Sequence, residues 1–434
     1  MKIAWVTPFA ARSAIGRVSS TVIDALCDRN HEVTIIRSEH AKLSQALSHA
    51  TSVPISWWQD VSPQNIYLET DVIVLNFGDN YDLHAGTLAF AGTVPCLGVF
   101  HDFYLYNLFN RWLVHNGLGE EVHNREARRV YGEGVVPLAT KAWRDEATVE
   151  QIATSLPMTE WLGRRCGAAL AHSQFYVHRL EASCPGPIAV APLCFENRDV
   201  KPLPKRNGTK ITVTTIGIIN PNKCAHSIIE SIATSPLLRT HCEFRLVGAI
   251  SDGERARLEA LCRGVGFGHL CILGEVDDAT LVAELERADI ISCLREPVLE
   301  GASASAIEGM KSGRPIVVVD SGFYADLPGD LVFKIPAPLE ISSLRETLER
   351  LVSNEELRRH TGIKARDWAL QVFTSRAYVS VFEELSEQFL RAKPLLAVSH
   401  RIGQQLATLG VKDDDPAVDR LADRMRGLFG GNNR

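Results

Sequence analysis

Two series of alternating strand and helix patterns run along this chain of 434 residues, and this alternation restricts the fold more than any other feature. In the first series, short apolar runs rich in β-branched residues predict strands, and Arg17–Cys27 has helical periodicity. Strands that alternate with helices pair in parallel, so this part predicts a doubly wound sheet. The predicted strands are Lys2–Thr7, His31–Arg37, Asp71–Asn76, Cys96–Phe100, Ala168–His172 and Pro187–Ala191.

A stretch rich in proline and basic residues, Lys201–Gly208, separates the two series and predicts a linker. After it the predicted elements are strand Ile211–Gly217, helix Ala225–Ala233, strand Glu243–Val247, helix Asp252–Val265, strand Leu270–Leu273, helix Ala279–Arg287 and strand Ala288–Cys293. The sequence therefore predicts a first domain at 1–200 with a helical insertion at about 103–162, a linker at 201–208, and a second domain at 209–385. A helical tail at 386–434 follows, with a helix start at 413–416.

Composition limits the classes of function. A formal net charge of −6 argues against a general nucleic-acid binder, which needs a basic surface. No apolar run approaches the roughly 20 residues that span a bilayer, and the N-terminus has the pattern of a first strand rather than of a signal peptide. The ten cysteines are scattered without C-x-x-C spacing, which predicts reduced thiols in a cytoplasmic protein and no structural zinc.

Two glutamates eight positions apart, Glu300 and Glu308, bracket a run of small residues, Gly301–Ala306. An apolar strand precedes this segment, and Gly313-Arg314-Pro315 leads from it to the strand Ile316–Val319. We expect a helix that begins near Ser303, whose backbone N–H groups are open to a phosphate because no large side chain blocks them. The plain alternative is a helix with a solvated Glu308 and a turn carboxylate at Glu300.

This segment resembles the E-x7-E element of retaining GT-B glycosyltransferases of family 4, as found among bacterial polysaccharide and glycolipid enzymes. The stretch Ser321–Pro328 resembles the element that closes the same unit in that family. The resemblance implies an α/β GT-B fold, with two Rossmann-like doubly wound domains that face a central cleft and a C-terminal helical tail. In such chains the tail returns to the first domain; oligomerisation is the alternative role.

The resemblance assigns the first group of donor-binding residues. Glu300 would contact hydroxyls of the donor sugar and act in catalysis, and Glu308 would hold the ribose. Gly301, Ser303 and Ser305 would hold the diphosphate at the helix start. Capping of the helix is a compatible role for the two serines.

Lys223 ends the segment Gly217–Lys223, which resembles the family loop whose lysine neutralises the leaving diphosphate. Many members carry an arginine directly after the glycine of this loop, and this chain has Ile218. Either Lys223 acts with another cation, for which Arg295 is the candidate, or donor handling is altered. A surface or interdomain salt bridge is the alternative role for Arg295.

Two glycines complete the predicted donor site. Gly16 lies between the first strand and the first helix and resembles the family's first loop, which approaches the donor diphosphate; a tight turn is the alternative. Gly274 follows the strand Leu270–Leu273, at a place that resembles the family's base-binding position.

His101 and Asp102 follow the strand Cys96–Phe100, at the carboxyl end where doubly wound sheets bind ligands. In the family, a His-Asp pair here faces the donor sugar near its anomeric carbon, so both are predicted catalytic residues. A structural histidine is the alternative. Asn76 and His84 belong to the end of the preceding strand and its loop, and we expect them on the acceptor side of the same cleft.

The resemblance implies retaining transfer of a hexose from a nucleoside diphosphate sugar to a glycan or glycolipid acceptor, in polysaccharide or glycoconjugate biosynthesis. No metal or other cofactor is expected, because a lysine and helix N-termini supply the positive charge. The protein is expected in the cytoplasm. Peripheral contact with the inner membrane and assembly into a homo-oligomer are left open. Two alternatives remain: a GT-B sugar-nucleotide epimerase, and a non-catalytic GT-B protein that binds nucleotide or glycan, which Ile218 favours.

Overall fold

The computed structural model describes residues 1–195, 197–201, 210–411, 415, 418, 420 and 421. Of the linker predicted at 201–208, only Lys201 belongs to this set, and of the helix start predicted at 413–416, only Asp415 does. The described residues contain two parallel sheets, which confirms the predicted class of two Rossmann-like domains with a helical tail.

The first sheet has seven strands in the order β3-β2-β1-β4-β5-β6-β7, and all of its pairs are parallel. These strands are β1 (Lys2–Thr7), β2 (Glu32–Arg37), β3 (Ile55–Trp57), β4 (Val72–Phe77), β5 (Leu97–Phe100), β6 (Ala168–Ala171) and β7 (Ile188–Val190). The helices of this domain are α1 (Ala14–Cys27), α2 (Pro63–Glu69), α3 (Tyr81–Phe90), α4 (Tyr106–His115), α5 (Glu120–Tyr131), α6 (Val136–Trp143), α7 (Val149–Ser155), α8 (Thr159–Gly163) and α9 (Val177–Glu181). The strand order reverses between β1 and β4, where a doubly wound sheet opens a crevice for ligands.

The second sheet has six parallel strands in the order β10-β9-β8-β11-β12-β13, which repeats the same reversal between β8 and β11. Its strands are β8 (Ile211–Ile216), β9 (Cys242–Val247), β10 (Leu270–Gly274), β11 (Ile290–Ser292), β12 (Ile316–Val319) and β13 (Phe333–Ile335). The remaining helices are α10 (Ala225–Ala233), α11 (Pro236–His241), α12 (Asp252–Val265), α13 (Asp278–Arg287), α14 (Ala304–Lys311), α15 (Ile341–Ser353), α16 (Glu355–Val372) and α17 (Ser375–Thr408).

The long helix α17 carries the chain from the second domain back to the first. Its buried residue Phe382 lies 5.6 Å from Trp5 of β1, measured between ring centroids. Arg29, two residues after α1, forms an ion pair of 2.5 Å with Glu383, and Lys393 donates to the carbonyl of Asp71 at 2.6 Å. The helix therefore packs on the first domain. The predicted boundary between the second domain and the tail, at residue 386, falls inside this single helix.

One predicted boundary near the cleft is wrong. The first helix begins at Ala14 and not at Arg17, because the Ser13 side chain caps it by accepting a hydrogen bond from the backbone N–H of Gly16 at 3.0 Å. Gly16 consequently lies in the first turn of α1 rather than in a loop before it. A Cβ atom at this position would lie 2.7 Å from the carbonyl of Pro8, so the helix start needs a glycine to pack this closely.

Candidate active site

Glu300 lies in the loop between β11 and α14, and its carboxylate is held by two partners. The Tyr324 hydroxyl donates to Oε1 at 2.9 Å, and Arg295 Nε lies 3.0 Å from the same oxygen. Arg295 also donates to the Ser305 hydroxyl at 3.1 Å. Burial opposes the charge of Arg295, but Tyr324 and Glu300 hold its pKa above the ordinary value. Arg295 therefore orients both Glu300 and the first turn of α14.

The helix predicted near Ser303 is present as α14. Ser303 caps it by accepting from the N–H of Ala306, and its hydroxyl lies 3.2 Å from that of Ser305. Small residues line this turn, and the positive end of the helix dipole lies there. The local geometry is thus the one expected of a phosphate-binding turn.

Glu308 lies on α14 and is almost fully buried. Burial raises the pKa of its carboxyl group, and an ion pair with Arg198 Nε opposes that effect. Arg198 belongs to the connector between the two sheets, and its second nitrogen lies 3.1 Å from Asp278 Oδ1. The same oxygen lies 3.4 Å from Arg17 of α1. Sequence analysis did not select Arg198 or Asp278.

Lys223 is buried beneath the Glu300 loop, at the end of a short 3-10 helix, Pro221–Lys223. Its Nζ donates to the carbonyl of Ile216. Burial and then the charge of Arg295 lower the pKa of the lysine to about 7. Ile218, which stands where many family members have arginine, is 68% exposed. The charge of Arg295 acts on Lys223, and a joint role of the two cations toward a diphosphate stays a prediction.

His101 follows β5 and is held in one tautomer. Asn76 uses its amide nitrogen to donate to the Val6 carbonyl at 3.1 Å, so its oxygen accepts from His101 Nε2 at 3.0 Å. Nδ1 of His101 consequently has no proton when the ring is neutral. Burial lowers the pKa of His101 well below its usual value, so the neutral ring is the stable form at pH 7.

Asp102 lies beside His101 and accepts a hydrogen bond from the backbone N–H of Asp79 at 2.9 Å. Burial raises the pKa of Asp102 to about 7, and the charge of Glu300 adds to this increase. The carboxyl group therefore exchanges its proton near neutral pH, at the point where the two domains meet.

Asn76 and His84, predicted on the acceptor side, are both about 1% exposed. His84 Nδ1 donates to the backbone carbonyl of Asn76 at 2.9 Å, and burial lowers the pKa of His84 to about 4. In the structure His84 is hydrogen-bonded to Asn76, and Asn76 is hydrogen-bonded to His101. A contact of either residue with the acceptor stays a prediction.

The Glu300 loop of the second domain packs directly against the His101 segment of the first. The N–H of Gly301 donates to the carbonyl of His101 at 2.8 Å, and the N–H of Tyr104 donates to the carbonyl of Leu299 at 3.2 Å. A Cβ atom on Gly301 would lie 2.7 Å from the Tyr176 hydroxyl and 2.9 Å from the His101 carbonyl. The close approach of the domains thus depends on a glycine at 301.

Most of the predicted residues are brought together at one edge of the two sheets. The carboxyl ends of β5, β8 and β11 assemble His101, Asp102, Lys223, Arg295, Glu300, Gly301, Ser303 and Ser305. Gly274 ends β10, two strands from β8, and its carbonyl accepts from Gly248 at 2.8 Å. Gly16 lies in α1 next to Arg17. Sequence analysis also missed Tyr324, which was noted in the Ser321–Pro328 motif without a role, and His172, whose ring centroid lies 4.8 Å from that of His101.

The described residues show no group of three or more histidine, cysteine, aspartate or glutamate side chains placed to hold a metal ion. Over the same residues, no helix combines the length and the apolar character needed to cross a membrane.

Solved structures with similar folds include proteins described as glycosyltransferases. Sucrose-phosphate synthase from Thermosynechococcus elongatus superposes with a TM-score of 0.63 at 15% identity, over 90% of this chain and all of that one. HepE from Anabaena, solved with UDP and glucose, has a TM-score of 0.58 at 15% identity, over 89% of this chain and all of that one. A glycosyltransferase from Rickettsia africae has a TM-score of 0.60 at 14% identity, and the match covers 90% of this chain and 98% of that one. These likenesses show the fold.

A comparison of sequences alone finds no curated protein that matches the chain. Residues 197–368, which include Lys223, Arg295, Glu300 and Glu308, match the family model described as glycosyl transferases group 1. The chain thus has the GT-B fold, and its residues 197–368 are similar to glycosyl transferases group 1.

Proposed function

We propose that this protein is a retaining glycosyltransferase that moves a hexose from a nucleoside diphosphate sugar to a glycan or lipid-linked acceptor. The observation that carries the proposal is the meeting of two loops at the cleft. Glu300, held by Arg295 and Tyr324, approaches His101 and Asp102 of the other domain, and Lys223 lies buried behind it. The group 1 match over the same half of the chain supports it.

The donor would be bound mainly by the second domain. Glu308 would accept hydrogen bonds from the ribose, and the first turn of α14 with Ser303 and Ser305 would hold the diphosphate. Glu300 would accept hydrogen bonds from hydroxyls of the sugar. Gly274 and Gly16 remain proposed contacts to the base and to the diphosphate.

The reaction would break the bond between the anomeric carbon and the phosphate oxygen, and form a bond from the acceptor oxygen to the same face of that carbon. The leaving phosphate oxygen would take the proton of the acceptor hydroxyl. Negative charge grows on the diphosphate as the bond breaks, and Lys223, Arg295 and the α14 dipole stabilise it inside a closed cleft. Because these groups supply the positive charge, we propose a reaction that needs no metal.

His101 would lie on the reacting face of the sugar. Its neutral ring presents Nδ1 as a hydrogen-bond acceptor, since Nε2 is bound to Asn76. Asp102 would stand beside it, with a proton that is exchanged near pH 7. The acceptor would approach from the first domain, and polysaccharide or glycoconjugate biosynthesis is the setting that we propose.

The test is a coupled assay for release of nucleoside diphosphate from a panel of sugar nucleotides, with and without glycan and glycolipid acceptors. UDP-glucose is a suitable first donor, since HepE was solved with UDP and glucose. Acceptor-dependent release, with a product whose anomeric proton shows retention by NMR, is expected. Conversion of the sugar nucleotide without any acceptor would indicate an epimerase, and tight binding without turnover would indicate a non-catalytic protein.

A further inference from the structure

The carboxylate proposed for the ribose already has a partner in the protein. Arg198 Nε contacts Glu308 Oε1, and both side chains are largely buried, at 17% and 10% exposure. The other end of the guanidinium contacts Asp278, whose side chain is 65% exposed. Arg198 therefore bridges one buried carboxylate and one exposed carboxylate.

This bridge affects how a nucleotide can bind. A ribose diol that donates to Glu308 Oε1 competes with Arg198 Nε for that oxygen and for the space beside it. If the guanidinium left without another partner, a partly buried charge would lose its counter-ion, which is unfavourable. Asp278 removes that penalty, because it is already in contact at 3.1 Å and lies near solvent.

We infer that Arg198 is a positioning residue of the donor site, which holds Glu308 in the free protein and transfers wholly to Asp278 when a nucleoside diphosphate binds. The inference rests on the function proposed above. Arg17 of the first domain shares the same Asp278 oxygen, at 3.4 Å. Occupation of the ribose site therefore changes an ion-pair cluster that links the two domains.

The test is isothermal titration calorimetry on the full-length protein, with two probes. The first is the nucleoside diphosphate that the wild type binds best, and the second is inorganic pyrophosphate, which has no ribose. Arg198→Ala removes the competing guanidinium, so the Kd for the nucleoside diphosphate is expected to fall by up to about fivefold, which corresponds to the usual contribution of an ion pair. The Kd for pyrophosphate is expected to stay the same.

Three further variants separate this role from a structural one. In a Glu308→Gln background, Arg198→Ala is expected to have no further effect on the nucleotide, because the pair is already broken. Arg198→Lys keeps a cation beside Glu308 and is expected to move the Kd back toward the wild-type value. Asp278→Asn removes the receiving carboxylate, so the Kd for the nucleoside diphosphate is expected to rise. This last variant keeps Arg198 and decides the question even where Arg198→Ala fails to fold.

The matched control is Arg179→Ala, which breaks an ion pair of similar burial with Glu160 in the first domain and is expected to change neither Kd. A rise in both Kd values in Arg198→Ala would mean that the guanidinium binds the diphosphate itself, and an equal fall for both probes would mean a general effect; each overturns the inference. Failure of the wild type to bind any nucleoside diphosphate would instead overturn the proposed function, and with it this inference.

Discussion

Asp102 and Glu300 belong to different domains and face each other in an isolated antiparallel backbone bridge. Their carboxyl groups are close enough that the charge of Glu300 contributes to the raised pKa of Asp102. Two acidic groups that meet across a cleft repel each other when both are ionised, unless a ligand or a proton lies between them. In the function proposed above, hydroxyl groups of the donor sugar would lie at this contact.

Gly301→Ala should separate the two domains without unfolding either one. The added methyl group would overlap the Tyr176 hydroxyl and the His101 carbonyl, both of the first domain. We expect a loss of about 1–3 kcal/mol in the free energy of unfolding and a strong fall in transferase activity. Urea unfolding and small-angle scattering would measure these effects. Gly253→Ala is the control, since nothing lies within 4 Å of its Cβ position. Unchanged activity in Gly301→Ala would contradict the role of this contact.

Binding of a nucleoside diphosphate should take up a proton at pH 8. Lys223 has a pKa of about 7 in the free protein, so it is mostly neutral at pH 8. A diphosphate beside it favours the charged form and raises that pKa, which means that affinity falls as the pH rises above about 7. Calorimetry at pH 8 in two buffers of different ionisation enthalpy measures the uptake. Lys223→Met should bind more weakly and lose the uptake; equal uptake in this variant would exclude Lys223 as its source.

His101→Ala should lower kcat and leave the binding of nucleotide nearly unchanged. Apart from Gly16, the proposed contacts to ribose and diphosphate belong to the second domain, whereas His101 would face the reacting sugar from the first. Loss of a polar group placed at the reacting centre costs about a hundredfold or more in kcat. Steady-state kinetics and a nucleotide Kd for the same variant provide the test. A variant with normal kcat would show that His101 serves only the packing with Asn76.

Phe382→Ala should destabilise the whole protein, because α17 joins the two domains. Phe382 is fully buried against the first domain, where its ring lies 5.6 Å from Trp5. Removal of a buried phenylalanine costs about 3–5 kcal/mol in the free energy of unfolding. Leu395→Ala, on the same helix but 40% exposed, should change it by less than about 0.5 kcal/mol. Urea denaturation of the two variants makes the comparison, and equal effects would contradict the packing described here.

The helices and strands around the cleft were predictable where a short sequence pattern by itself specifies one type of element. The strand Ile316–Val319 and the helix Ala225–Ala233 have the bounds that the sequence predicts, and α14 starts after the predicted Ser303. β-branched runs and capping serines act locally, so their effect can be derived from neighbouring residues. The edge strands β3 and β13 were missed, since each has three residues and depends on its neighbour in the sheet.

Side-chain partners that are distant in the sequence were not predictable in the same way. Arg198 lies 110 positions from Glu308, and its ion pair exists only because the connector passes beside α14 in the folded protein. Tyr324 reaches Glu300 from 24 positions away, after β12 has placed it. Nothing in the local sequence of either residue specifies such a contact. The sequence did predict Lys223, Arg295 and Glu300 as a group, and the structure places them together.

The measurement that tests the central claim most directly is a thermal-shift panel of UDP, GDP, ADP, TDP and their common sugars, on the wild type and on Glu308→Ala. A ligand at a hundred times its Kd adds about 2.7 kcal/mol to the free energy of unfolding, which such a scan resolves. We predict that one nucleotide stabilises the wild type and that the shift is lost in Glu308→Ala. No shift with any nucleotide, or the same shift in both proteins, would contradict a donor site built on Glu308.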